Sequence, residues 1–121
     1  MANAVLIFVA GGCGSVLRYL AGLAVPSALF PWATVGVNVV GSFAIGLFGA
    51  LAARFGWSEG VRLALTVGLC GSFTTFSTFS HEALALASSG RWCVFSLYVA
   101  GSVILGIAAA ALGFACARCS G

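Results

Sequence analysis

The sequence predicts an all-α membrane protein, a single domain over residues 1–121 with four transmembrane helices. Three observations predict it. First, 62% of the residues are hydrophobic and 6% are charged, the charges being five arginines and two glutamates. Mean hydropathy is +1.19, whereas soluble domains carry about 25% charged residues. Second, residues 1–17, 19–53, 63–80 and 92–117 hold no formal charge, and one spanning helix needs about 20 apolar residues. Third, these runs are continuously apolar, without the alternation of barrel strands. Backbone groups in lipid must be satisfied internally, so helices remain. A soluble enzyme, a nucleic-acid binder and a disordered segment are excluded.

The spans are expected near 4–24, 33–53, 62–86 and 91–117. The first holds Arg18, which can snorkel to a watery mouth and concentrate anions there. No basic residue precedes its apolar run, so it reads as a span and not a cleaved signal. The loop 25–32 holds Pro26 and Pro31, the loop 54–61 holds Arg54 and Glu59, and 87–90 is Ala-Ser-Ser-Gly. With four spans, both termini share a side with the 54–61 loop. Arg54, Arg62 and Arg118 lie there, against Arg91 and Arg18 opposite. So small a bias leaves two orientations open, a weak inside preference for the termini or insertion both ways.

Seventeen glycines are about double the usual share. Ser42, Gly46 and Ala50 repeat at helical spacing in the second span, as do Ser102, Gly106 and Ala110 in the fourth. Such small-residue stripes let helices approach closely. Four of the five cysteines lie in or near apolar helices, where cysteine behaves as a small hydrophobe; Cys116-Ala-Arg-Cys119 lacks the two further ligands that zinc needs.

Polar residues at membrane depth are costly and often functional. Residues 70–80 in the third span contain six Ser or Thr and three Phe. Gly71 weakens the helix and the hydroxyls compete for backbone partners. The stretch is either a broken helix or a continuous one whose hydroxyls bond back to the preceding turn. A break exposes carbonyls, which favour a cation, and a helix N-terminus, which favours an anion. Asn38 is the amide side chain of the second span. It either joins helices or donates to a permeating anion. Tyr98 and Ser102 share a face of the fourth span, as interhelical partners or as a line of donors. Phe76 and Phe79 share a face of the third, as packing or as positive ring edges. No carboxylate sits at mid-membrane, since Glu59 is in a loop and Glu82 lies near a span end with His81. That disfavours a small four-helix multidrug or metabolite transporter. A non-transporting membrane scaffold would explain the glycine stripes but not the hydroxyl density. Acid–base catalysis lacks its residues, so the chain is not expected to be an enzyme.

Gly11-Gly12-Cys13-Gly14 with Arg18-Tyr19, the run 34–43 around Asn38, and Gly71-Ser72-Phe73-Thr74-Thr75-Phe76-Ser77-Thr78-Phe79 together resemble the Fluc (CrcB) fluoride channel family over nearly the whole chain. Ser72 departs from the family's common second glycine. The resemblance implies a third helix broken near its middle and an antiparallel, dual-topology homodimer in a bacterial inner membrane. It implies passive, fluoride-selective efflux through two pores, each built from both chains. Asn38 would be the amide donor, Phe76 and Phe79 the aromatic lining, and Ser77, Thr78, Tyr98 and Ser102 the polar contacts. Backbone carbonyls of Gly71 and Thr74 would bind a structural sodium ion. Two carbonyls from each chain on a two-fold axis make four hard oxygen ligands, suited to a hard cation. The partners implied are fluoride, a second copy of the chain and the lipid bilayer, with no nucleic acid.

Overall fold

A computed structural model describes residues 1–25 and 30–119; Pro26 lies outside them. Helix α1 is Ala2–Ala24 and α2 is Trp32–Phe55. A third pass comprises α3 (Glu59–Leu63), a π-helical segment (Ala64–Cys70), α4 (Gly71–Phe73) and α5 (Ser77–Ser88). Helix α6 is Trp92–Cys119. Four segments are long and apolar enough to cross a membrane: Ala2–Ala24, Trp32–Phe55, Glu59–Ser88 and Trp92–Cys119, with mean hydropathies of 1.7, 1.9, 1.2 and 2.2. The third is the least apolar because its hydroxyls are concentrated there.

Local chemistry sets the ends. Pro31 precedes α2 at its N-cap, where a missing N–H costs nothing. Gly56 closes α2 in the left-handed region at φ 62°, its N–H returning to Ala52 O. The Ser58 side chain accepts from Val61 N–H at 3.3 Å and starts α3 earlier than the charge pattern suggests. Gly90, at φ 77°, turns the chain between α5 and α6.

The π-helical segment contains Thr66, whose hydroxyl donates back to Arg62 O at 2.6 Å, a bond that bends helices. This segment lies along α1 at backbone distance. A Cβ on Gly14 would strike Leu69 O, and one on Gly68 would stand 2.9 Å from Ala10 Cβ. Helices α2 and α6 meet as closely through the two small-residue stripes: a Cβ on Gly46 would strike Ala110 O, and one on Gly113 would strike Phe43 O. Association inside lipid gains little from hydrophobicity, so this van der Waals fit holds the pair.

The buried cluster of Val35, Ala83, Leu86 and Tyr98 joins α2, α5 and α6, with Phe30 and Phe79 against it. Elsewhere the helices turn apolar side chains outward, including Phe8, Leu23, Ile104 and Ile107. Lipid or another copy of the chain can cover such faces.

Gly113→Val forces a branched side chain between two backbones. Overpacking costs about 1–3 kcal/mol, so the purified variant should melt several degrees lower. Gly49→Ala, where an added Cβ meets nothing within 4 Å, should leave the midpoint unchanged or raised.

Candidate functional site

The helical ladder stops at Phe73. Thr74 is extended (φ −88°, ψ 163°), and α5 resumes at Ser77. Leaving a helix at membrane depth strands backbone groups that water cannot reach, and each needs a partner.

Asn38 on α2 supplies two of them. Its Oδ1 accepts from Thr75 N–H at 2.8 Å, and its Nδ2 donates to Thr75 O at 3.1 Å. One amide side chain thus reads both backbone groups of one residue. Gly41 lies one turn along the same face of α2, and Thr74 Cγ2 seats directly on it. The α2 surface therefore presents an amide beside a gap, and the turn docks on both. Arg18 Nε donates to Ser72 O at 3.1 Å. Thr74 satisfies Cys70 O with its N–H at 3.1 Å and its hydroxyl at 3.0 Å. Thr75 Oγ1 accepts from Thr78 N–H at 3.1 Å and caps the start of α5. The N–H of Thr75 goes to Asn38 and that of Thr78 to a hydroxyl, so Gly71 O and Thr74 O accept no hydrogen bond among the described residues.

Two cavities border this turn, and Thr75 lines both. One, of about 270 Å³, is lined by Asn38, Ser42, Phe76, Phe79, Ser102 and the 74–75 turn. No residue lining it carries a formal charge. The Phe76 and Phe79 rings lie 5.9 Å apart between centroids. Ser102 Oγ is buried and has no hydrogen-bond partner among the described residues. Phe76 is 79% exposed, so the cavity is open on that side. The second cavity, of about 190 Å³, is lined by Arg18, Thr34, Thr75, Thr78 and Glu82. Glu82 Oε1 accepts from Thr34 Oγ1 at 2.6 Å and from Tyr98 OH at 3.0 Å.

Of the residues singled out from sequence, Asn38, Phe76, Phe79 and Ser102 thus share the first cavity, and Arg18 and Thr78 the second. Tyr98 lines neither; it is fully buried, against Phe79 at 5.0 Å between centroids. Its hydroxyl turns to Glu82, away from Ser102. Helical spacing puts the two side chains on one face but does not aim their hydroxyls. Ser77 is exposed, 3.4 Å from the Thr75 hydroxyl. Sequence reasoning missed Thr75, whose signal is a hydroxyl three residues before Thr78 at a helix start. It also placed Glu82 at a margin. Thr78 and Glu82, one turn apart, share a face, but the partners Thr34 and Tyr98 come from other helices.

A family model described as CrcB-like protein, Camphor Resistance (CrcB), matches residues 5–114. A protein of Phocaeicola vulgatus named fluoride-specific ion channel FluC is 48% identical over 116 residues, covering 93% of this chain and 96% of that protein. Proteins of the same name from Bacteroides fragilis and Novosphingobium aromaticivorans are 44% and 42% identical. They cover 93% and 98% of this chain, and 94% and 98% of their own lengths.

Asn38→Ala deletes both bonds to Thr75. A buried unpaired polar group costs about 1–3 kcal/mol, and two are exposed here, so thermal unfolding of the purified protein should show a large drop in midpoint. Asn38→Asp keeps the acceptor for Thr75 N–H but sets a carboxylate against Thr75 O, so its midpoint should fall as well.

Proposed function

The chain belongs to the CrcB family, and from that membership we propose that it is a fluoride-selective channel giving passive efflux across a bacterial inner membrane. The family is one of ion channels and not of enzymes. The observation that carries the reading is the uncharged cavity where the Asn38 amide, the Ser102 hydroxyl and the rings of Phe76 and Phe79 converge.

Fluoride is small and strongly hydrated. It crosses only where donors replace its water, and it leaves only where none holds it too tightly. Asn38 spends one Nδ2 hydrogen on Thr75 O and has a second to give. Ser102 Oγ has no other claim on it. Ring edges are positive and add weak attraction without a fixed charge. The N-terminal end of α5 adds a partial positive charge beside the turn. Arg18 and Thr78 attract the ion in the second cavity, while Glu82, held by Tyr98 and Thr34, limits how strongly it binds there. Ser77 extends the hydroxyl line. A narrow path between two chains excludes chloride, which is larger.

The second chain enters inverted, giving an antiparallel homodimer with two pores. The exposed Phe76 ring and the outward apolar faces support this, as does the near-equal division of arginines between the two sides. The carbonyls of Gly71 and Thr74, left without hydrogen bonds, suit a hard cation; from two chains they make four oxygens that would hold a structural sodium ion. Bound there, sodium would join the two turns and raise the local positive potential.

Liposomes holding the purified protein should release fluoride rapidly and chloride at the protein-free background; equal rates for the two halides would reject the proposal. Asn38→Asp places a charge and an acceptor where a donor is needed, and fluoride release should fall to background. Complete exchange of sodium for a larger organic cation during purification should lower flux. Unchanged flux would remove sodium from the reading and leave the fluoride assignment standing.

A further inference from the structure

Both glutamate side chains are engaged. Glu59 Oε1 accepts from Asn3 Nδ2 at 2.8 Å, and Glu82 holds two hydroxyls. Yet Arg54 and Arg118, 64 positions apart in sequence, come together. Each is the penultimate residue of its helix, α2 or α6. Arg54 Nη1 donates to Ala117 O at 2.8 Å and Arg118 O at 3.2 Å, closing the end of α6. The Arg54 guanidinium lies 5.3 Å from the Phe55 ring centroid, and that of Arg118 lies 5.7 Å from Phe114. Between them is a cavity of about 410 Å³ lined by Ala50, Ala53, Arg54, Phe114 and Arg118. No carboxylate pairs with either arginine among the described residues.

Two guanidinium groups thus flank an apolar pocket with no counter-charge among the described residues. A helix of 24 residues is about 36 Å long, against a hydrocarbon core of about 30 Å. Its last turn therefore stands at headgroup depth, with Ala50 and Ala53 just inside the core. Guanidinium forks match phosphate oxygens, and Arg54 keeps donors on Nε and Nη2. We propose that this pocket binds an anionic phospholipid, its phosphate on Arg54 and Arg118 and an acyl chain along Ala50, Ala53 and Phe114. The site does not depend on fluoride conduction.

The test is native mass spectrometry of the full-length protein, with phosphatidylglycerol and phosphatidylcholine of identical chains in competition. At the worth of a basic residue near a lipid surface, two arginines should favour the anionic lipid by about thirtyfold and one by about fivefold. Arg118→Gln, which removes no hydrogen bond donated by that side chain, should lower the preference accordingly. Arg118→Lys should restore part of it, and Arg62→Gln, outside the pocket, should leave it unchanged. Equal retention of the two lipids by the unaltered protein would overturn the proposal without need of any variant. So would a preference untouched by Arg118→Gln, or inorganic phosphate displacing the lipid at equal concentration, which would mark a free-anion site.

Discussion

The third membrane pass can leave helical geometry because one side chain substitutes for the missing turn. Asn38 answers both the N–H and the C=O of Thr75, as a neighbouring peptide group would. Without it, two polar groups would face a medium that solvates neither. Arg18 and the hydroxyls of Thr74 and Thr75 answer the other groups that the turn exposes. An interruption that would be prohibitive on an isolated helix becomes a rigid feature among four. The carbonyls of Gly71 and Thr74 stay outside this network, and Thr74 lines the cavity that Asn38 borders.

The same residues explain how polarity and close packing coexist. Gly41 has to be glycine for Thr74 to reach α2, because a side chain there would push the turn away and lengthen both Asn38 bonds. Gly46 and Gly113 then bring α6 against α2, which carries Ser102 to the cavity that Asn38 borders. Glycine spacing, read alone as a packing device, therefore also sets the width of the polar site. Tyr98 ties the arrangement to α5. Its ring packs on Phe79, and its hydroxyl holds the carboxylate that faces the second cavity.

Charge is distributed with corresponding economy. The cavity holding Asn38 is neutral, the cavity beside it is lined by both Arg18 and Glu82, and Arg54 and Arg118 flank a third at the ends of α2 and α6. A fixed cation beside the Asn38 site would trap an anion and a carboxylate would repel it. Neutral donors avoid both outcomes.

Much of this was legible in the residues alone. Seven formal charges in 121 residues require lipid around the chain, and their spacing divides it into four spans, because hydrophobicity is additive along a segment and needs no knowledge of neighbours. The density of Ser and Thr between residues 70 and 80 marked the polar region for the same reason, and Asn38, Phe76, Phe79 and Ser102 were recognisable as candidates by type and depth. What a hydroxyl or amide points at is a different quantity, fixed by atoms from other helices. That Asn38 binds the backbone of Thr75, that Tyr98 turns to Glu82 and not toward Ser102, that a π-helical segment runs beside α1, and that Arg54 meets Arg118 were decided only by the packing. Directional bonds and close backbone approaches depend on three-dimensional placement, and no periodicity along one strand of sequence encodes the partner.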